Sequence, residues 1–229
     1  MSAPLTVVIP TLNSAQSLPG CVAPLYEGIF AGLIRELIVT DGGSHDDTTQ
    51  IAEALGARVL TGPAGRGGQL SRGTAMVESP WVLVLHADTQ LSHGWADRVY
   101  QHMAQHPSKA GYFWLRFDAT GMAAAIVARW ANLRSALFGL PYGDQGFLVP
   151  RKALAAKGGY PDLPLMEDVA LAKQFRGALC PLGAIAVTSA ERYLSEGWLR
   201  RGSRNLTLLL RYLSGADPKK LAAAYLPKV

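Results

Sequence analysis

The sequence predicts an α/β fold, a mostly parallel central sheet flanked by helices with a helical appendage at its C-terminal end. Three observations predict it. Short β-rich runs alternate with helical patterns through the first two-thirds of the 229 residues, as βαβ units do. The runs are almost wholly apolar, as in strands covered on both faces. Three of them lead into polar, glycine or acidic residues, PTLNSA, DGGSHDDT and HADT. In such sheets ligands bind beyond the carboxyl ends of the strands. One such loop is a turn; three at one edge point to a site.

The elements follow in order. LTVVI (5–9) is the first strand, RELIVTD (35–41) the second, ARVLT (57–61) the third and WVLVLHA (81–87) the fourth. Between them SLPGCVAPLYEGIFAGL, DDTTQIAEALG and GQLSRGTAMVE are compatible with helices. The middle one has the clearest ends: Asp46 and Asp47 suit the positive pole of a helix, and Gly56 closes it. From AGYFWLRFD (110–118) onward the pattern loosens. TGMAAAIVARWANLRSALFGL reads as an amphipathic helix and QGFLVPRKAL as a strand leading into a short helix. LMEDVALAKQFRG reads as a helix and GAIAVTSAERY as a strand. The tail is helical, with Arg200, Arg201, Arg204 and Arg211 against leucine-rich faces. No repeat or low-complexity segment divides the chain, so residues 1–195 form one domain and 196–229 its appendage.

Composition narrows the function classes. With 49% hydrophobic and 17% charged residues the chain is globular, and disorder as its main state is excluded. The net charge of +5 favours anionic partners without choosing among them. No recognition motif supports nucleic acid. Cys21 and Cys180 lie far apart with no CxxC or Cys/His cluster, so neither a disulfide framework nor a structural zinc is expected. The N-terminal MSAPLTVVIPT lacks the basic region of a signal peptide, and no window approaches the roughly 20 apolar residues of a membrane span. A cytoplasmic protein is expected. Its tail, WLRRGSRNLTLLLRYL, either packs on the domain or lies on anionic lipid as a peripheral contact.

Four motifs carry a resemblance. VVIPTLN, LIVTDGGSHDDT, LVLHADTQL and YPDLPLMEDVALAKQFR occur in that order across roughly residues 5 to 190. Together they resemble family 2 glycosyltransferases, inverting nucleotide-sugar enzymes with the GT-A fold. Within the family the chain is similar to a small soluble subgroup found with radical-SAM and arsenosugar-type genes. The resemblance implies single transfer of a sugar from a UDP- or GDP-sugar to a hydroxyl acceptor, aided by Mg²⁺ or Mn²⁺. The processive Gln-x-x-Arg-Trp signature is not found.

The resemblance also distributes roles. Asp88 survives from the Asp-x-Asp pair that holds the cation in the family, and one carboxylate with substrate phosphates and waters makes a normal magnesium site. His86 replaces the first carboxylate. It is a second ligand suited to manganese, a hydrogen-bond donor to the nucleotide, or simply the end of the strand. Pro10, Thr11, Asn13, Asp41, Gly42, Gly43, Arg66, Gly67, Gln69 and Ala87 fall in the nucleotide-binding segments, Asp41 accepting from base or ribose. Asp168 is the base that deprotonates the acceptor, with Glu167 orienting it or binding the acceptor. The pair also suits a helix N-terminus without any catalytic role. Asp144 and Gln145 suit sugar or acceptor hydroxyls, and Trp114 either stacks on a sugar or fills the core. Two other readings stand beside this one: a nucleotide-sugar binder without turnover, and a sugar-phosphate nucleotidyltransferase. The latter would want a glycine- and arginine-rich loop after the first strand, and PTLNSA is not that.

Overall fold

The computed structural model describes residues 3–225; the last four residues of the predicted appendage lie outside them. Four strands, β1 (Leu5–Thr11), β2 (Ile34–Asp41), β3 (Arg58–Thr61) and β4 (Trp81–Val84), form the expected parallel half of the sheet. The rest is built from β5 (Thr89–Leu91), β6 (Ala110–Phe117), β7 (Phe147–Pro150) and β8 (Leu179–Thr188). The order is β3-β2-β1-β4-β7-β6-β8-β5. Only β7 and β5 run against the others, β7 between β4 and β6 and β5 beside β8.

The fourth strand ends earlier than its apolar run. β4 pairs with β1 from Trp81 to Val84, and β5 then pairs with β8, Thr89 opposite Thr188. Residues 85–88 therefore cross from one half of the sheet to the other. That crossing leaves His86 and Asp88 beyond the β-ladder, at the edge where β1 and β2 also end. The register of those two, Pro10 beside Thr40 and Thr11 beside Asp41, aligns their loops.

Alternate residues of each strand enter opposite cores. Val7, Ile9 and Leu83 point into one with Trp95 and Phe113; Val8, Val82 and Val84 point into the other with Ile38 and Leu171. Two-sided burial explains why the strands read as continuous apolar runs. Each fully buried side chain of this size contributes about 2 kcal/mol of transfer free energy.

The predicted first helix is two, α1 (Leu18–Val22) and α2 (Leu25–Phe30), because Pro24 between them cannot donate to a continuing helix. α3 (Thr48–Ala54) and α4 (Arg66–Ala75) follow. α5 (Trp95–Gln105) was not legible in the sequence. Its first turn is held from outside, since Glu27 accepts the amides of Gly94 and Ala96 at 3.0 Å each. The remaining helices are α6 (Met122–Phe138), α7 (Arg151–Ala156), α8 (Glu167–Gln174), α9 (Glu191–Glu196), α10 (Trp198–Leu213) and α11 (Pro218–Tyr225). Among the described residues no helix is long and apolar enough to cross a membrane.

Candidate active site

The loops after β1 and β2 are clamped to each other. Asp41 is buried, and its Oδ1 accepts the hydroxyls of Thr11 at 3.0 Å and Ser44 at 2.6 Å. Its Oδ2 accepts the amides of Gly43 at 2.8 Å and Ser44 at 2.7 Å. A carboxylate offers about four lone-pair sites, and all are used. Burial opposes ionisation, but these hydrogen bonds hold the carboxyl below its usual range. Asp41 therefore organises the loop that the sequence places at the nucleotide. Gln69 is likewise consumed: its Nε2 donates to the carbonyls of Thr11 and Thr40 at 2.7 Å each. Gly42 donates its amide to Thr11. Gly67 lets the start of α4 touch the backbone of Pro161 and Leu163, where a Cβ would collide. Pro10 and Ala87 are buried.

Asn13 and Met166 are the two non-glycine residues with left-handed backbone among the described residues, at φ 50° and 64°. Such conformations are costly and concentrate at functional loops. Asn13 is held by its Oδ1 accepting the His45 amide and its own amide donating to Ser44. Met166 turns the chain into α8, immediately before Glu167 and Asp168.

One cleft gathers the chemistry. Arg66, His86, Asp88, Asp144, Asp168 and Arg192 all line it, although they come from five separate segments. Asp168 accepts the Gly143 amide on Oδ2 and the Val169 amide on Oδ1, both at 2.7 Å, with acceptor capacity left on each oxygen. Glu167, buried, is ion-paired to Arg66. Burial raises its carboxyl and the Arg66 guanidinium opposes that rise. Glu167 thus anchors Arg66 through Oε1, while its Oε2 is buried without a hydrogen bond.

Burial, with Arg66 and Arg192 nearby, keeps the His86 imidazole well below its usual range and therefore neutral. Its ring lies where a Cβ on Gly143 would be. Burial also raises the Asp88 carboxyl, against Arg192 and Arg66. For Asp144 burial is again the main cause, joined by Asp168 and Asp88 and opposed by Arg134; its carboxyl is pushed up to about 6. Its Oδ1 is buried without a hydrogen bond.

Two expected ligands do not face the cleft. Gln145 is fully buried, donating to the Phe113 carbonyl and accepting from the Ser135 hydroxyl. Trp114 packs edge-on against Tyr112. The strand pleat sends its neighbours Leu115 and Phe117 into the cleft instead. Sequence reasoning missed Arg192 and Arg134. Arg134 is buried, donates to the Leu140 carbonyl and lies 3.4 Å from the Tyr142 ring centre, so it fixes the loop that carries Asp144. Nothing in a helical pattern distinguishes it from a solvated arginine.

The described residues hold no cluster of three or more His, Cys, Asp or Glu side chains able to bind a cation alone. What they offer is one carboxylate, Asp88, and a neutral imidazole, His86. That donor set fits a cation whose remaining ligands are phosphate and water oxygens.

The fold is of the GT-A type. The family model for "Glycosyl transferase family 2" matches residues 6–121, and the chain belongs to that family. An uncharacterized glycosyltransferase of Rickettsia felis is 39% identical over 75 residues, 32% of this chain and 26% of that protein; the chain thus spans only part of its curated relatives. Glucosyl-3-phosphoglycerate synthase from Mycobacterium tuberculosis, solved with Mn²⁺, uridine diphosphate and phosphoglyceric acid, superposes with a TM-score of 0.63 at 22% identity. The match covers 94% of this chain and 80% of that one. S. aureus TarS 1–349 with UDP-GlcNAc gives 0.62 at 15% identity, covering 81% and 58%. At these identities the likeness is one of fold.

Proposed function

We propose that the protein transfers a single sugar, with inversion, from a nucleotide-diphosphate sugar to a hydroxyl acceptor. The observation that carries the reading is the convergence of Asp88 and Asp168 on one cleft beside Arg66 and Arg192. The acceptor oxygen bonds to the anomeric carbon while its proton passes to Asp168. The bond from that carbon to the diphosphate breaks, and its electron pair leaves with the nucleoside diphosphate. Arg66, kept in place by Glu167, and Arg192 face the charge that develops there. Asp88, with His86 beside it, would hold a divalent cation, which supplies further neutralisation of the leaving diphosphate when bound. The solved neighbours with Mn²⁺ and with UDP or UDP-GlcNAc support a uridine nucleotide and manganese as the first to try.

A thermal-shift screen of UDP-, GDP-, dTDP- and ADP-sugars with and without Mn²⁺, run beside a sugar-nucleotide hydrolysis assay, tests the reading. One donor stabilising the protein only with the cation, and being slowly hydrolysed, is expected. Stabilisation without any turnover would instead favour a binding protein. No stabilisation by any of them would refute the proposal.

A further inference from the structure

We propose that the face built by α6 and α10 seats the protein on an anionic lipid surface, with the mouth of the cleft at headgroup level. α6 is turned the unusual way round. Its small residues Ala124, Ala128, Ala131 and Ser135 are buried against the domain. Its large apolar ones point outward on the opposite side: Met122 is 83% exposed, Ile126 65% and Leu137 66%, with Trp130 and Leu133 between them. The spacing 122, 126, 130, 133, 137 is one helical face. A single water-facing helix does not need such a stripe, and contiguous exposed apolar patches mark interaction surfaces.

α10 packs beside α6 and repeats the arrangement. Leu208 and Leu209 are buried, whereas Leu199, at 90% exposed, Leu206, Leu210 and Leu213 form an outward stripe. Trp130 and Leu206 belong to the two stripes and also line the cleft, so the apolar surface runs into its mouth.

Charge selects the occupant. Arg201 and Arg204 are ion-paired to Glu196. Beside them residues 198–225 expose Arg200, Arg211, Lys219 and Lys220 with the acid Asp217, and α6 adds the exposed Arg129 and no acid. An outward apolar stripe flanked by cations is what an interfacial helix presents to anionic lipid. A second copy of this face would bring like charges together. The seating stands apart from the transferase reading; only its consequence, an acceptor met at the membrane surface, rests on that reading.

The test uses the full chain and sedimentation with phosphatidylcholine vesicles containing or lacking phosphatidylglycerol, with light scattering of the lipid-free protein. Ile126→Asn with Leu137→Asn removes apolar contact, and Arg200→Ala with Arg211→Ala and Lys219→Ala removes charge; none of these residues lines the cleft. We expect binding that needs phosphatidylglycerol and falls roughly tenfold or more in either variant, with the protein monomeric and the variants' melting temperatures close to the parent's. No binding, equal binding to both vesicles, variants that bind like the parent, or a dimer dissolved by the apolar substitutions would each overturn the seating. The assay needs neither donor nor turnover, so failure of the transferase reading leaves its outcome unchanged.

Discussion

The Gly143 amide donates to Asp168 Oδ2 at 2.7 Å, so the loop before β7 holds the carboxylate at the start of α8. Asp168 is thereby aimed into the cleft by two backbone donors. Asp168→Asn should lower transfer about 10³-fold, the scale of a lost general base. Nucleotide affinity should change little, because the proposed place of the diphosphate is beside Asp88 and not at Asp168. Single-turnover rates with calorimetric donor binding separate the two effects. Loss of donor binding would assign Asp168 a different role.

Arg66 and Glu167 are one unit. Arg66→Ala leaves a buried carboxylate uncompensated and should cost about 2 kcal/mol, below the range for fully buried pairs because Arg66 is partly exposed. Glu167→Gln should cost less stability yet weaken nucleotide binding, since Arg66 loses its anchor. Urea denaturation of both variants and the double variant checks this: the two costs should be clearly non-additive.

Asp144 sets a pH dependence. Its folded carboxyl titrates at about 6 against an ordinary 3.8, so the folded state binds its proton more tightly than the unfolded chain does. Stability from this group is full below about pH 4 and falls as pH rises to about 6, by at most about 3 kcal/mol. Asp144→Asn should flatten that part of the profile and raise stability at neutral pH. An unchanged profile of unfolding free energy against pH would contradict the burial of this carboxyl.

Gly143→Ala places a methyl group where the His86 ring now lies. His86 must move, carrying the chain around Asp88 with it. Cation-dependent nucleotide binding should weaken more than tenfold, while the melting temperature falls by only a few degrees, a cost of about 1 kcal/mol. His86→Asp should preserve or improve magnesium use if the imidazole is a ligand, and leave the metal preference unaltered if it is structural.

The framework of the site was legible because apolar runs ending in polar loops depend only on local pattern. Thr11, Asp41 and Asp88 could be set at one sheet edge from that pattern alone. How each polar atom is used was not legible. Asp41 and Gln69 look like ligands in sequence, yet their hydrogen-bonding capacity is spent on partners that become neighbours only when β1, β2 and α4 pack. Trp114 depended on which side of β6 faces the cleft, and a one-residue register decides that. In α6 the amphipathic pattern does not say which face is inward; its alanines are what fit against β6. Arg192 stands near the end of the run GAIAVTSAERY that reads as a strand, but β8 ends at Thr188 and Arg192 falls in α9.

The central claim is that Asp88 and Asp168 serve one cleft, the first at the departing diphosphate and the second at the incoming hydroxyl. Calorimetric titration of UDP, or of the nucleotide found by the donor screen, with and without Mn²⁺ into the parent, Asp88→Ala and Asp168→Asn tests it most directly. Affinity should require the cation in the parent, be lost in Asp88→Ala and survive in Asp168→Asn. Equal affinity in Asp88→Ala and the parent, with Mn²⁺ present, would contradict it.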